Sequence, residues 1–489
     1  MPSPPMPAPL DSKDLILRIR SDAIQPNAPL YYPESILRLL DHLRRIGMEH
    51  LEIFWPVGLT VLPPSRLAPP PPLREIVAWI AQREVRKLSN LDPLSEPFKR
   101  DARLLLLARF RTSQMAAQAL SLLSKPNLPT RTSLPEIASA ELVPTRGINV
   151  PKPAWGPTAK VDAAAAAWGK RKVAPHPEWA EYRLSNIGVL DSGCETSHPT
   201  FAPGAVTVYG SASDLSGHGT FVSGQLVGRG GGDLPKNHGM LPNSRIWLGN
   251  VAVPTSDQID YDVDGGLYDH NLAILARTNE SEYVKAGLDQ FNIKVLNLSL
   301  GGFNYYSLEE YRIQELVAKG ISVVACVHNM PGDEGTACVY YPAALPSVVS
   351  VGAVMDTGNS LDLWAKSRTQ LNYRGWTLDT SKDPPVDLSA PGVNIGSSLP
   401  AHLGGSAILE GTSFAAPYVT AALSVLAVAN KDLSPADLAK LLFAKVASLS
   451  FSGSGRGLLR CSDWRLPLKI ISNDKDPIKI KIKDGTGLG

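Results

Sequence analysis

An apolar run that stops at an aspartate constrains this chain more than any other feature. Ile187-Gly188-Val189-Leu190-Asp191 is followed at once by Ser192-Gly193. A short apolar run bounded by turn residues reads as a strand buried on both faces, ending at the carboxyl edge of a parallel sheet. Two further strings are built to sit at such an edge. Gly217-His218-Gly219-Thr220-Phe221-Val222-Ser223-Gly224 places a histidine between two glycines at the opening of a small-residue helix. Gly411-Thr412-Ser413-Phe414-Ala415-Ala416-Pro417 places a serine at the start of a helix running through Ala421 and Leu426. The first turn of that helix presents unpaired N–H groups and the positive end of its dipole.

Each residue has a plain reading of its own. Asp191 could cap a strand end, His218 could open a helix, and Ser413 could be an N-cap. Together they match a nucleophilic relay. A serine hydroxyl is a weak nucleophile until a base takes its proton, and a histidine can take it and later return it to a leaving amine. An aspartate holds the imidazole in the right tautomer and stabilises its cation. The chain order Asp191, His218, Ser413 differs from the orders of the chymotrypsin and α/β-hydrolase types.

On these three motifs the sequence resembles the subtilisin-like (subtilase) serine peptidases, over roughly Ala154 to Trp464. The resemblance implies a three-layer α/β domain with a mostly parallel, doubly wound sheet, preceded here by a smaller α+β N-terminal domain. It also implies a serine endopeptidase that hydrolyses peptide bonds of a protein or peptide substrate through an acyl-enzyme on Ser413. The competing reading is a catalytically silent subtilase-fold protein that only binds peptides. An esterase of the α/β-hydrolase class would need Gly-x-Ser-x-Gly, which is absent around Ser413.

The family supplies two further expectations. Gly320 to Asn329 reads as a buried strand ending in an asparagine, which matches the family's oxyanion donor; His328, however, stands where glycine is usual. Glycine takes positive φ freely and histidine does not. His328 is expected either as a solvated loop histidine or as an extra ionisable group at the site. Ser299, Leu300 and Gly301 follow the alternating run Val295–Leu298 and match the segment that pairs with an extended substrate, a mode that asks little of substrate sequence. Asn297 reads as structural. Phe221 and Phe414 stand where many relatives have histidine and methionine, and both keep an apolar wall near the site.

No cofactor or metal is expected; the alternative is calcium held in part by backbone carbonyls. His198-Pro199 is followed by Thr200, where calcium-binding relatives often carry an aspartate, so one hard oxygen ligand is missing. The acidic stretch Asp257 to Gly265 lacks the closing glutamate of an EF-hand loop and reads as a solvated loop, with a metal site as the alternative.

A net charge of +2 gives no argument for nucleic acid, and no run of 18 uninterrupted apolar residues suggests a membrane span. The amino terminus has no basic region followed by an apolar core, so a cytoplasmic location is expected. Four cysteines in 489 residues make no disulfide scaffold. Cys326 is expected to be a small buried apolar residue, and Cys194, three residues past Asp191, offers a route to thiol sensitivity.

Three regions are expected: 1–150, 151–468 and 469–489. In the first, strands are expected near Leu15–Ile19, Leu51–Trp55 and Arg103–Arg111, and helices over Glu34–Leu43, Leu73–Leu88 and Ser113–Leu123. This strand-and-helix region, set off by Pro151 and Pro153, resembles a family prodomain; the alternative is an accessory domain that docks a regulatory partner. A short alanine-rich helix is expected over Val161–Trp168 before the aspartate strand. Ile478 to Lys483 alternates isoleucine with lysine and reads as an edge strand.

Overall fold

The computed structural model of the protein describes residues 14–19, 43, 45–54, 105–123, 137–142, 146–148, 167–254, 261–277, 280–303, 305, 307–330, 338–370, 385–462, 464, 468–470 and 480–482. The expected helices over Glu34–Leu43 and Leu73–Leu88 lie almost wholly outside these residues. The chain forms two compact units, one made of Met1–Thr145, Leu272–Glu280 and Tyr306–Ala318, the other of Arg146–Asn271, Ser281–Tyr305 and Lys319–Gly489.

The smaller unit carries a four-stranded antiparallel sheet of β1 (Asp14–Ile19), β2 (Met48–Phe54), β3 (Leu105–Phe110) and β4 (Ile137–Leu142), in the spatial order β2-β3-β1-β4. Leu15 and Leu17, two residues apart on one face of β1, are both fully buried. The helix α1 (Ser113–Leu123) packs on this sheet and buries Ala116 and Ala119. The strand and helix signals at Leu15, Leu51, Arg103 and Ser113 therefore each coincide with an element.

The larger unit holds the site. In chain order its elements include β5 (Arg146–Ile148), α2 (Trp168–Val173), β6 (Ile187–Asp191), β7 (Val206–Tyr209), α3 (His218–Val227), β8 (Ile246–Asn250), β9 (Ala252–Pro254) and β10 (Tyr261–Val263). There follow β11 (Val295–Leu298), β12 (Ser322–Cys326), β13 (Val348–Asp356), β14 (Leu361–Leu363), β15 (Leu388–Pro391), β16 (Ile395–Ser398) and β17 (Ser406–Leu409). The chain closes with α4 (Thr412–Ala429), α5 (Pro435–Phe443), β18 (Val446–Ala447), β19 (Leu458–Leu459), β20 (Leu468–Ile470) and β21 (Ile480–Ile482).

Among the described residues eight strands pair in parallel, in the order β7-β8-β6-β11-β12-β13-β15-β19. Every residue of β6, β8, β11, β12 and β15 is buried; β6 and β12 accordingly read as near-continuous apolar runs, while β11, which alternates in sequence, is buried on both faces as well. The sheet is doubly wound. From β6 the chain crosses to β7 at one edge, fills the gap with β8, then places β11 and its successors on the other side of β6. The order reverses between β6 and β11, and the crevice beyond the carboxyl ends of strands at such a reversal is where open α/β sheets bind ligands.

The helix α4 is long and apolar enough to cross a membrane, but 89% of that stretch is buried within the fold. Its apolar surface is core packing against β11, β12 and β13.

Of the expected helix over Val161–Trp168 only Ala167 and Trp168 lie among the described residues, and α2 begins at Trp168. Trp168 is the anchor: its indole N–H donates to the carbonyls of Val393 and Asn394, at 2.8 and 3.0 Å. Lys170 fastens the same helix to the loop after α3, its ammonium donating to the carbonyls of Asn237 and Gly239. Burial lowers the Lys170 pKa from 10.5 to about 8. With the folded pKa below the unfolded one, the unfolded chain binds more protons across that window. Stability therefore rises with pH between 8 and 10.5 and is lost as pH falls through 8. Urea melts of the native protein and Lys170→Met at pH 7.5 and 10.5 should diverge by about 3 kcal/mol in favour of the native protein at the higher pH.

The tail signal at Ile478–Lys483 coincides with β21, which pairs antiparallel with β20, Leu468 opposite Ile482.

Candidate active site

The strand β6 delivers Asp191 to the carboxyl edge of the sheet, beside Asn250 at the end of β8. The helix α3 delivers His218 as its first residue, after Gly217 at φ 77°. The approach of α3 to β6 needs glycine on both partners. A side chain on Gly219 would run into the Gly193 carbonyl, and Gly193 itself sits at φ 105° against the Ser213 carbonyl.

Nδ1 of His218 lies 2.8 Å from Oδ1 of Asp191, with both side chains essentially fully buried. An ionised carboxylate only accepts, so Nδ1 carries the proton and Nε2 is left as an acceptor. Nε2 is buried and takes no hydrogen bond from any described residue. The same Asp191 oxygen also accepts from the Ser192 backbone N–H at 2.8 Å.

Ser413 is the second residue of α4 and is 2% exposed. Its surroundings follow from Pro417, one turn on. A proline has no N–H to give the carbonyl four residues back. That carbonyl belongs to Ser413, and it accepts instead from the Ser299 hydroxyl at 2.7 Å. Ser299 is held in turn by Asn297, whose Nδ2 donates to the Ser299 hydroxyl at 3.0 Å. Thr420 of α4 donates to Asn297 Oδ1 at 2.8 Å. Asn297 is thus structural, as its strand position suggests, and it ties β11 to the helix that carries Ser413. The Ser413 hydroxyl donates to the Ser299 carbonyl at 3.2 Å and lies 3.8 Å from Cys326 Sγ.

Asn329 comes two residues after the Val327 that follows β12. Its Oδ1 accepts from the backbone N–H and the hydroxyl of Thr412, each at 2.9 Å. That fixes the amide so that Nδ2 is its remaining donor, beside the first turn of α4. His328 adopts φ 72°, the left-handed region that glycine would enter without strain. It is not a solvated loop histidine. It is 8% exposed, and its ring stacks on Tyr340 with centroids 4.7 Å apart. The backbone shape implied by the family's glycine is kept, and the side chain is accommodated by stacking.

The side chains of Ser299 and Leu300 are buried, and the Ser299 hydroxyl is the one that grips the Ser413 carbonyl. Gly302 exchanges both backbone hydrogen bonds with Tyr341, at 2.9 and 2.8 Å. A side chain at Gly301 would press on the Tyr341 carbonyl, the His328 ring and Tyr340. Phe221 and Phe414 form the apolar wall, with rings 4.5 Å apart and Phe414 5.5 Å from the His218 ring.

The sequence reading missed Asp214, four residues before His218. Its two oxygens accept from the backbone N–H groups of Gly217 and Thr220, at 2.9 and 2.7 Å. They also accept from the hydroxyls of Ser192, Ser216 and Thr220. Asp214 therefore caps the helix that carries His218 and, through Ser192, touches the residue next to Asp191. Burial raises its pKa, while hydrogen bonds from Thr220 and Ser192 pull it back down. An acid ahead of a Ser-Gly helix start was the available signal. Asp214→Asn turns one acceptor oxygen into a donor facing donors, which should cost about 2–3 kcal/mol in a urea melt and slow turnover as His218 loosens. An unchanged melt would contradict the capping role.

Burial pushes the Cys194 thiol well above its ordinary range, as it does Cys326. Cys194 is fully buried in the fold. The Thr200 hydroxyl is occupied by His198 Nδ1 and the Ser398 hydroxyl, at 2.8 and 2.7 Å. No cluster of three or more His, Cys, Asp or Glu side chains suited to a metal occurs among the described residues.

The chain was compared with known proteins. The subtilisin of Bacillus pumilus is 30% identical over 260 residues, 50% of this chain and 78% of that protein. Subtilisin E of Bacillus subtilis strain 168 is 29% identical over 260 residues, 50% of this chain but 56% of that protein. The major intracellular serine protease of the same strain is 28% identical over 273 residues, 52% of this chain and 73% of that one. The structure of fervidolysin from Fervidobacterium pennivorans, a keratinolytic enzyme related to subtilisin, superposes with a TM-score of 0.57 at 16% identity. That match covers 94% of this chain and 62% of the other, and at this identity it speaks to the fold. The model of the subtilase family matches residues 185–458, a span that takes in Asp191, His218, Asn329 and Ser413. By that match and by its likeness to the Bacillus pumilus protein, the chain belongs to the subtilase family of serine proteases.

Proposed function

We propose that this protein is a serine endopeptidase that cleaves protein or peptide substrates through an acyl-enzyme on Ser413. The 2.8 Å contact between His218 Nδ1 and Asp191 Oδ1 carries the reading, because it leaves Nε2 as a buried acceptor with no other described partner. Attack starts with rotation of the Ser413 side chain off the Ser299 carbonyl and toward Nε2. His218 takes the hydroxyl proton as Oγ bonds to the scissile carbonyl carbon, and Asp191 stabilises the resulting imidazolium. Negative charge moves to the carbonyl oxygen, where Asn329 Nδ2 and the N–H groups at the start of α4 are the donors. The tetrahedral species collapses by giving its proton from His218 to the leaving amine. A water activated by the same histidine then releases the acyl group. The backbone of Ser299 to Gly301 supports this reading as the edge against which an extended substrate lies.

One observation favours the silent peptide-binding alternative: at rest the Ser413 hydroxyl is bonded to Ser299 and not to His218. Rapid mixing with a p-nitrophenyl ester separates the two. An endopeptidase of this kind gives a burst of p-nitrophenol close to one equivalent per site, followed by slower release. A silent cleft gives no burst.

A further inference from the structure

Histidine at φ 72° is strained, at a cost on the order of 1 kcal/mol or more, and such a residue persists only where its surroundings over-determine it. What surrounds His328 is a stack that leads back to its own neighbour. The His328 ring lies on the Tyr340 ring, at 4.7 Å and tilted 22°. The guanidinium of Arg368 lies over the same ring, 3.7 Å from its centroid. Arg368 is 2% exposed. Its Nε donates to the backbone carbonyl of Asn329 at 3.2 Å, and its Nη1 donates to the carbonyl of Cys338 at 3.3 Å.

Asn329 is therefore held at two points. Thr412 fixes its side-chain oxygen and Arg368 fixes its main-chain oxygen, which leaves Nδ2 with little freedom. A donor to a developing oxyanion lowers the barrier only if it is already aimed, because reorganisation during the reaction would cost what the hydrogen bond gains. Where relatives have glycine before the asparagine, this chain has a histidine whose strain must be held, and the Tyr340–Arg368 pair is placed to hold it.

We propose that Arg368 is a positioning residue for the oxyanion donor, acting on Asn329 through its carbonyl and through the stack on Tyr340 and His328. The proposal rests on the reading of Asn329 as that donor. It assigns Arg368 no contact with substrate.

The test uses the full chain with Arg368→Met and Arg368→Lys, each made alone and together with Asn329→Ala. Methionine keeps packing on Tyr340 but loses both N–H donors, whereas lysine keeps the charge but not the planar fork. Fluorophosphonate titration counts competent sites, so a poorly folded fraction does not enter the rates. Arg368→Met should lower kcat on a peptide p-nitroanilide about 10–100-fold, the scale for a small misplacement of a catalytic group. KM should stay within about twofold, because ground-state binding is untouched. Affinity for a peptide boronic acid, which forms a tetrahedral adduct, should fall in parallel with kcat. Arg368→Lys should lie between the two proteins, and it decides the matter if Arg368→Met yields no titratable sites. In the Asn329→Ala background neither change should cost anything further.

An equal loss in both backgrounds, or no loss while Asn329→Ala alone slows catalysis, would overturn the positioning role and leave Asn329 standing. If Asn329→Ala itself left kcat unchanged, the oxyanion reading would fall first and this one with it.

Discussion

Ser413→Ala abolishes peptide hydrolysis, with a loss in kcat on the order of 10⁶. That is the scale known for removing the nucleophile of such a triad, not one derived from this geometry. The fold should survive, because the hydroxyl contacts only the Ser299 carbonyl and, weakly at 3.8 Å, Cys326 Sγ among the described residues, and that carbonyl lies in a segment already tied down by Asn297 and Thr420. The main-chain oxygen of Ser413, which Ser299 grips, is unaffected by the change. Thermal melts and far-UV circular dichroism of the variant should match the native protein. Residual turnover well above the uncatalysed rate in a folded variant would place the nucleophile elsewhere.

Asn329→Ala lowers kcat about 10²–10³-fold and leaves KM nearly unchanged, because the charge that Nδ2 meets exists only after attack. The variant also frees the N–H and hydroxyl of Thr412 at the start of α4, so a stability loss of about 1–2 kcal/mol should accompany it. The two effects are separable. Asn329→Asp keeps an acceptor for Thr412 and so keeps the melt, yet it removes the donor and puts negative charge where the oxyanion forms. Its kcat should fall at least as far. A rise in KM with kcat intact would make Asn329 a substrate-binding residue instead.

The parts of this fold that were legible in the sequence are those with a local signature. A strand buried on both faces tends to be apolar along its length, so Ile187–Leu190 and Ser322–Cys326 announced themselves, while Val295–Leu298 was marked by alternation running into two glycines. The residue at which each run stops marked the sheet edge where Asp191 and the Ser299 segment lie. The glycine pair around His218 and the small residues after Ser413 marked helices that start where backbones approach closely. Less legible were contacts that join distant segments. Nothing near Arg368 signals that its guanidinium will reach the carbonyl of a residue 39 positions earlier. Asp214 was overlooked because a single aspartate in a serine-rich loop is common. Only the fold shows it gathering the N–H groups of Gly217 and Thr220.

His328 shows a third kind of gap. Its sequence position raised a conflict with positive φ. The resolution, stacking on Tyr340, depends on a ring twelve residues away. Pro417 is the opposite case. A proline inside a helix was visible in the sequence, and elementary geometry says which carbonyl it leaves free. That carbonyl is Ser413's own, already taken by Ser299.

The central claim is that His218, poised by Asp191, activates Ser413. Labelling the folded full-length protein with a fluorophosphonate and mapping the adduct by peptide mass spectrometry tests it most directly, since the reagent reacts with a serine that has an adjacent base. The account predicts one adduct per chain, on Ser413, that is lost in His218→Ala while that variant keeps its fold. Labelling at another serine, or undiminished labelling of Ser413 without His218, would contradict it.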